Sequence, residues 1–121
     1  MDMNLDFQPG QILCLPHGDR SLYVELIQVI VERQLCWVRP LLLATFTQEP
    51  VLIVDMRSAS DLLWPISLFR PALDTEVISF LSQVLAKELK SEPDSDAKRL
   101  LHVFIQELWD AHHESATVPI E

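Results

Sequence analysis

One long apolar segment decides the fold of this chain: residues 21–47, which read SLYVELIQVIVERQLCWVRPLLLATFT. Its first part, residues 21–31, is rich in β-branched side chains and predicts a long strand. Apolar side chains occupy both faces of this strand, so we expect it to be central or to curl and change its pairing partner partway. The polar residues 32–34 predict a hairpin turn, and residues 35–39 predict the returning strand. Pro40 cannot donate to a ladder and marks an edge, a bulge or a break before the apolar run that follows it.

Shorter strands flank this segment on both sides. Residues 11–16, entered through Pro9 and Gly10, predict a first strand, and residues 51–56 predict a compact strand after it. The stretch 62–71 contains two prolines and predicts a short helical turn followed by extended chain.

Two helices are predicted in the last third of the chain. The first begins at Asp74 or Thr75, with Glu76 in its first turn, where a carboxylate suits the helix dipole. The second runs over residues 94–113. Each carries an apolar stripe at helical spacing. The first stripe comprises Val77, Ile78, Leu81, Val84, Leu85 and Leu89, and the second comprises Ala97, Leu100, Leu101, Phe104, Ile105, Leu108, Trp109 and Ala111.

The order of these elements predicts one domain over residues 1–121, with a β-rich part at 10–73 and a helical part at 74–114. Strands followed by helices are typical of the α+β class. Four to five strands joined by short turns would form a small antiparallel barrel of the SH3-like kind or a curled sheet. The two helices would cover its open face or pack as a hairpin beside it. No helix separates the strands, which excludes a parallel βαβ arrangement.

The composition is acidic and at the same time slightly hydrophobic. The 121 residues carry 18 Asp and Glu against 9 Lys and Arg, which gives a formal net charge of −9, and the mean hydropathy is +0.18. This charge disfavours binding to nucleic acid or to an anionic membrane, because phosphate selects positive charge. Residues 1–60 contribute −3 and residues 61–121 contribute −6, so we expect the helical part to attract a basic partner.

Export and membrane signals are missing from the sequence. Residues 1–9 contain no Lys or Arg and therefore lack the basic region of a signal peptide. The apolar runs fall well short of the ~18 residues that span a bilayer. We predict a cytoplasmic protein with reduced thiols, in which Cys14 and Cys36 are buried as small hydrophobic residues.

Patterns for catalysis and for cofactor binding are also missing. Two glycines are too few for a phosphate-binding loop, and neither GxSxG nor HExxH occurs. His112 and His113, with Asp110 and Glu114, form a local cluster of metal-capable groups, but a solvated helix end, where His suits the negative pole of the dipole, is the favoured explanation. We therefore predict no cofactor and no metal.

Arginines and tryptophans supply the candidate interface. Arg39 and Arg70 each precede a proline in an apolar segment, where a guanidinium is expected to pair with a carboxylate such as Asp55, Asp61 or Asp74. The alternative is that they anchor an interface, a role in which Arg and Trp are enriched. The candidate interface residues are Trp37, Arg39, Trp64, Phe69 and Arg70.

Two stretches resemble a known group of proteins. Residues 61–77, DLLWPISLFRPALDTEV, and residues 36–41, CWVRPL, are similar to a family of uncharacterised small proteins of cyanobacteria. That resemblance implies a biological setting and no activity. The first strand after Gly10 and the RPLL sequence at 39–42 also resemble the barrels of the MazF/PemK toxin ribonucleases, which bind RNA on basic surfaces, whereas this chain is acidic.

Together these observations favour a non-enzymatic protein-interaction or assembly module that self-associates or docks on a partner protein. A small β-barrel hydrolase or ribonuclease of the toxin-like type is one alternative, and its candidate groups are His17, Asp19, Arg39 and Ser60. A metal or small-ligand sensor that uses the histidine pair of the second helix is another.

Overall fold

The computed structural model describes residues 7–47, 51–86 and 95–117. These residues form a six-stranded antiparallel sheet followed by two helices, which confirms the α+β class. Short 3-10 turns connect two pairs of strands, at Val31–Arg33 and Ile66–Leu68. The elements are β1 (Ile12–His17), β2 (Arg20–Ile30), β3 (Leu35–Thr45), β4 (Leu52–Asp55), β5 (Leu62–Pro65), β6 (Arg70–Pro71), α1 (Asp74–Ala86) and α2 (Ser95–Thr117).

The β2–β3 hairpin is the centre of the sheet. Its strands pair over their whole length, from Ile30 opposite Leu35 at the turn to Arg20 opposite Thr45 at the open end. The predicted turn is confirmed. It closes on Gln34, whose φ of 57° lies in the left-handed region. Both the backbone N–H and the side-chain amide of Gln34 donate to the carbonyl of Val31, which offsets the steric cost of that conformation.

A bulge at Pro40 reverses the faces of β3. Val24 lies opposite Pro40 and Tyr23 lies opposite Leu42, so Leu41 has no counterpart on β2. A bulge was one of the three predicted outcomes at this proline, and it lets β3 continue without an N–H at that position. After the extra residue, Val38 and Leu42 contact opposite sides of the sheet.

The sheet is curled but does not close into a barrel. Its order is β4-β3-β2-β1-β6, and β5 pairs with β3 beside β4. Only residues 66–69 separate β5 from β6, which limits the distance between these edge strands to about 17 Å. Among the described residues β5 and β6 do not pair with each other. The curled sheet, one of the two predicted forms, is therefore the form observed.

The stretch that begins at Leu62 differs from its prediction. We expected a helical turn followed by extended chain, but β5 comes first and the helical turn Ile66–Leu68 follows it. The register that pairs Leu62 with Val38 supplies backbone hydrogen bonds that a local pattern does not reveal.

The two helices pack on opposite faces of the sheet. Leu101, Phe104 and Leu108 of α2 join the core of one face, where Leu13, Val24 and their neighbours are buried. The other face buries a smaller cluster beneath α1, made of Cys14, Tyr23, Leu42, Ala44, Ile53 and Val84. This corrects both predicted placements, in which the two helices together cover the open face of the sheet or pack as a hairpin beside it. Both faces of β1, β2 and β3 are apolar because each face receives its own helix.

The face under α1 has two halves. We call the half beneath the helix, around Tyr23 and Leu42, the covered half. The same face continues beyond the bulge, where Trp37 lies directly opposite Leu63 of β5. We call this second part the open half, because the described part of α1 packs mainly against β3 and β4 and because Trp37 and Leu63 are exposed there.

Candidate protein-binding surface

Large apolar side chains are exposed along the open half and around the edge of β5. Trp37 is 37% exposed, Leu63 is 55% exposed and Trp109 of α2 is 49% exposed. Isolated exposed apolar residues are ordinary, whereas contiguous ones mark interaction sites. We call this region the tryptophan surface and define it by six residues: Ile30, Leu35, Trp37, Leu63, Trp64 and Trp109.

The strand register places these side chains on the two sides of β5. Trp37 and Leu63 are cross-strand neighbours on the open half, and with Ile30 they line a depression of about 340 Å³. Trp64 is the next residue along β5 and therefore faces the opposite side, toward α2. Successive side chains of β5 therefore line two different apolar depressions, one on each side of the strand.

The second depression lies between β5 and α2. Its volume is about 530 Å³, and Leu63, Trp64 and Trp109 are among its lining residues. The rings of Trp64 and Trp109 meet edge to face, with centroids 6.2 Å apart and an interplanar angle of 80°. This is a favourable aromatic geometry. Leu63 lines both depressions, so the two form one continuous apolar region around the strand.

Asp61 holds Trp37 in position. The indole Nε1 of Trp37 donates to Oδ2 of Asp61 at 2.9 Å, and Nε of Arg39 donates to Oδ1 at 3.3 Å. The hydrogen bond from Trp37, and then that from Arg39, lower the pKa of Asp61 below its ordinary value. A carboxylate bonded to the indole restricts its orientation, so less side-chain entropy remains to be lost if the ring is buried further.

The predicted pairing of Arg39 with a carboxylate is observed with Asp61. Half of the Arg39 side chain remains exposed, so this ion pair contributes little to stability. The sequence did not indicate that Trp37 shares the same carboxylate. Extending the β3–β5 register by one residue beyond Leu62 places Asp61 opposite Arg39 and on the same face as Trp37.

Arg70 belongs to a different network, at the start of α1. Its guanidinium bonds Oε1 of Glu76 at 3.2 Å, the amide of Leu73 donates to the same oxygen at 2.8 Å, and the Tyr23 hydroxyl donates to the other oxygen. Partial burial alone would raise the pKa of Glu76, but these bonds hold it below the ordinary value. The predicted partner of Arg70 was Asp55, Asp61 or Asp74. The observed partner is Glu76.

Of the five candidate interface residues, Trp37 and Trp64 belong to the tryptophan surface, and Arg39 lies next to it through its bond to Asp61. Phe69 is 7% exposed and packs in the core beneath α2, so its side chain supports the fold and contributes no surface. Sequence reasoning placed Leu63 in a helical turn and counted Trp109 in the buried helical stripe, and both are exposed.

The candidate groups of the hydrolase alternative are not brought together. His17 lies opposite Arg20, whereas Arg39 lies opposite Glu25, and five residues along β2 correspond to about 17 Å. The ring of His17 packs edge to face on Phe104 of α2. Asp19 lies in the β1–β2 turn, and Ser60 lines a separate depression with His102 and Lys98.

Metal and thiol chemistry are equally unsupported in the described part of the chain. No group of three or more His, Cys, Asp and Glu residues is placed there to hold a metal ion. The side chains of His112 and His113 lie outside the described residues. Cys14 and Cys36 are buried and free, as predicted, and burial raises the pKa of Cys36 to about 11.

Comparison with known protein families, with curated proteins and with solved structures finds no match to this chain. The resemblance to the cyanobacterial family therefore stays a prediction. Within the described ranges, neither helix combines the length and the apolar character needed to cross a membrane.

Proposed function

We propose that this protein is a non-enzymatic protein-interaction module whose tryptophan surface binds a partner protein. One observation supports this most directly: within residues 7–47, 51–86 and 95–117, α1 buries one half of an apolar sheet face, whereas Trp37 and Leu63 on the other half are exposed. A monomeric domain gains nothing in stability from an exposed tryptophan, whereas an interface gains large contact area from it.

The composition and geometry of the surface fit this role. Interfaces are enriched in Trp and Arg, and their strongest residues sit in pockets beside rims that exclude water. Here Trp37 stands beside one depression, and Trp64 and Trp109 form the wall of another. Asp61 and Arg39 provide the polar rim and hold the indole in place.

A photo-crosslinking experiment tests this proposal. The photoreactive amino acid p-benzoylphenylalanine replaces Leu63 in one variant and Ile78 in a control, since Ile78 is 67% exposed on α1, away from the tryptophan surface. Both are irradiated in the cells that make the protein. We expect a discrete adduct from position 63 and none of that mass from position 78.

The crosslinked partner is then purified and titrated. We expect Trp37→Ala to weaken its affinity at least ~10-fold, as for a central interface residue, and Ile78→Ser to leave it unchanged. Equal affinity for wild type and Trp37→Ala, or the same adducts from both positions, would contradict the proposal.

A further inference from the structure

We infer that the occupant of the tryptophan surface is an extended, basic segment of a partner protein, which adds to the sheet as a strand along the outer edge of β5. This inference rests on the proposed function and specifies how the surface binds. It starts from the pairing of β5, which contacts β3 along one side only. No described residue pairs with its other side.

The backbone of β5 offers hydrogen bonds to that empty side. The N–H of Ile66 donates to the carbonyl of Gln34 at 3.0 Å, in register with the β3–β5 ladder. Because hydrogen-bonded positions alternate in an antiparallel ladder, Leu62 and Trp64 direct their backbone groups at β3. The N–H and C=O of Leu63 and the C=O of Pro65 therefore point outward. Pro65, which has no N–H, occupies an outward position, where a proline is compatible with an edge strand.

A strand added at this edge would place its side chains over both depressions. Successive residues of a strand point to opposite faces, so one side chain would enter the depression beside Trp37 and the next would enter the one between Trp64 and Trp109. The occupant therefore needs at least two consecutive apolar residues in extended conformation. Backbone hydrogen bonds with pockets for alternate side chains characterise strand addition.

The acidic charge of this chain favours basic residues on either side of the apolar pair in the occupant. Asp110 follows Trp109 on an exposed turn of α2, Glu32 lies beside Arg33 in the exposed turn after Ile30, and Asp61, which precedes β5, is paired with Arg39. The whole chain carries a net charge of −9. Lys and Arg around the apolar pair would be attracted to this field, whereas a second copy of the chain would be repelled by it.

The experiment uses a phage-displayed library of random 12-residue peptides selected against the full chain. We expect the enriched peptides to contain an apolar pair flanked by Lys or Arg. Affinities of the synthesised peptides are then measured for wild type, Leu63→Pro and Leu63→Val. Proline removes the outward N–H of Leu63, so we expect at least a 10-fold loss, whereas valine keeps the N–H and we expect less than a 3-fold change.

If Leu63→Pro does not fold, a series of methylated peptides tests strand addition on the wild-type protein. Each backbone amide of the best peptide is methylated in turn. Strand addition gives losses of at least 10-fold at every second residue and small changes between them. Methylation effects without this period, together with an unaffected Leu63→Pro variant, would overturn strand addition.

The Trp37→Ala variant distinguishes failure of strand addition from failure of the proposed function. If Trp37→Ala weakens peptide binding while Leu63→Pro and the methylated peptides do not, the surface binds partners by another geometry. If none of these changes matters, the proposed function fails as well. Three results would overturn the inference that the occupant is a basic partner segment. The library could yield acidic peptides, it could yield no peptides, or light scattering could show a dimer that Leu63→Pro dissociates.

Discussion

The covered and open halves of one sheet face are similar in sequence and opposite in environment. In the covered half Tyr23 and Leu42 are almost fully buried, whereas in the open half Trp37 and Leu63 are exposed. Helix length explains the difference. The 13 residues of α1 span about 20 Å, whereas the 11 residues of β3 extend about 36 Å. The described part of α1 is therefore shorter than this strand.

The opposite face of the sheet supplies the contrast. The 23 residues of α2 span about 35 Å, close to the length of β2 and β3. Its residues Leu101, Phe104 and Leu108 are buried in the core of that face. The apolar strand faces are therefore buried where a described helix packs on them, whereas Trp37 and Leu63 remain exposed beyond the residues buried under α1.

The largest effect is expected on the fully covered face. Phe104 of α2 is completely buried against the sheet, so Phe104→Ala should lower the free energy of unfolding by about 3–5 kcal/mol through lost burial and a cavity. Urea denaturation measures it. The neighbouring exposed residue provides the control: Val103→Ala should change the same free energy by less than ~0.5 kcal/mol. Similar losses in both variants would show that α2 does not pack as described.

An intermediate effect is expected in the covered half. Tyr23→Phe removes the hydroxyl that donates to Glu76, and we expect about 1–2 kcal/mol of lost stability at neutral pH. The bonds to Glu76 hold its pKa below the ordinary 4.5, although burial alone would raise it. Their stabilisation is therefore full above pH 4.5 and is lost as the pH falls through the lower folded-state pKa.

The pH dependence of the stability loss in Tyr23→Phe is the control for this prediction. The difference between wild type and Tyr23→Phe, measured by urea denaturation, should narrow as the pH is lowered from neutral to about 3. A difference that stays constant over this range would mean that the hydroxyl acts through packing and not through Glu76.

The smallest effect on stability is expected in the open half. Asp61→Ala removes the acceptor shared by Trp37 and Arg39, both largely exposed, so we expect less than ~1 kcal/mol of lost stability. The indole N–H resonance of Trp37 in NMR spectra should move and exchange faster with solvent. Because the pKa of Asp61 is lowered, the wild-type resonance should change in the same direction only as the pH falls below the ordinary 3.8.

Partner affinity provides a further test of the open half. With Trp37 no longer held, Asp61→Ala should weaken partner affinity a few-fold, and Ser60→Ala, the exposed neighbour, should not. An unchanged indole resonance in Asp61→Ala would contradict the role given to this carboxylate.

Local patterns in the sequence predicted much of the fold but little of the surface. The β2–β3 hairpin, the bulge at Pro40 and both helices follow from β-branched runs, a proline and helical spacing. Burial of Cys14 and Cys36 follows from their apolar strands. The strand at Leu62–Pro65 was not found, because its four residues become a strand only by pairing with β3. Leu63 and Trp109 were not found as surface residues for the same reason: a local pattern does not show where cover ends.

By itself the sequence determined the fold class, the acidic charge and the presence of apolar side chains on both faces of the long strands, because these depend on composition and on spacing between near neighbours. Only the tertiary structure decided which helix covers which face, that Glu76 and not Asp74 receives Arg70, and that Trp37 meets Asp61 beside an unpaired strand edge. These outcomes depend on contacts between residues distant in the chain. The apolar stripe of a helix predicts that it packs on an apolar surface. How much of that surface it buries depends on the length of the helix and on its place in the fold.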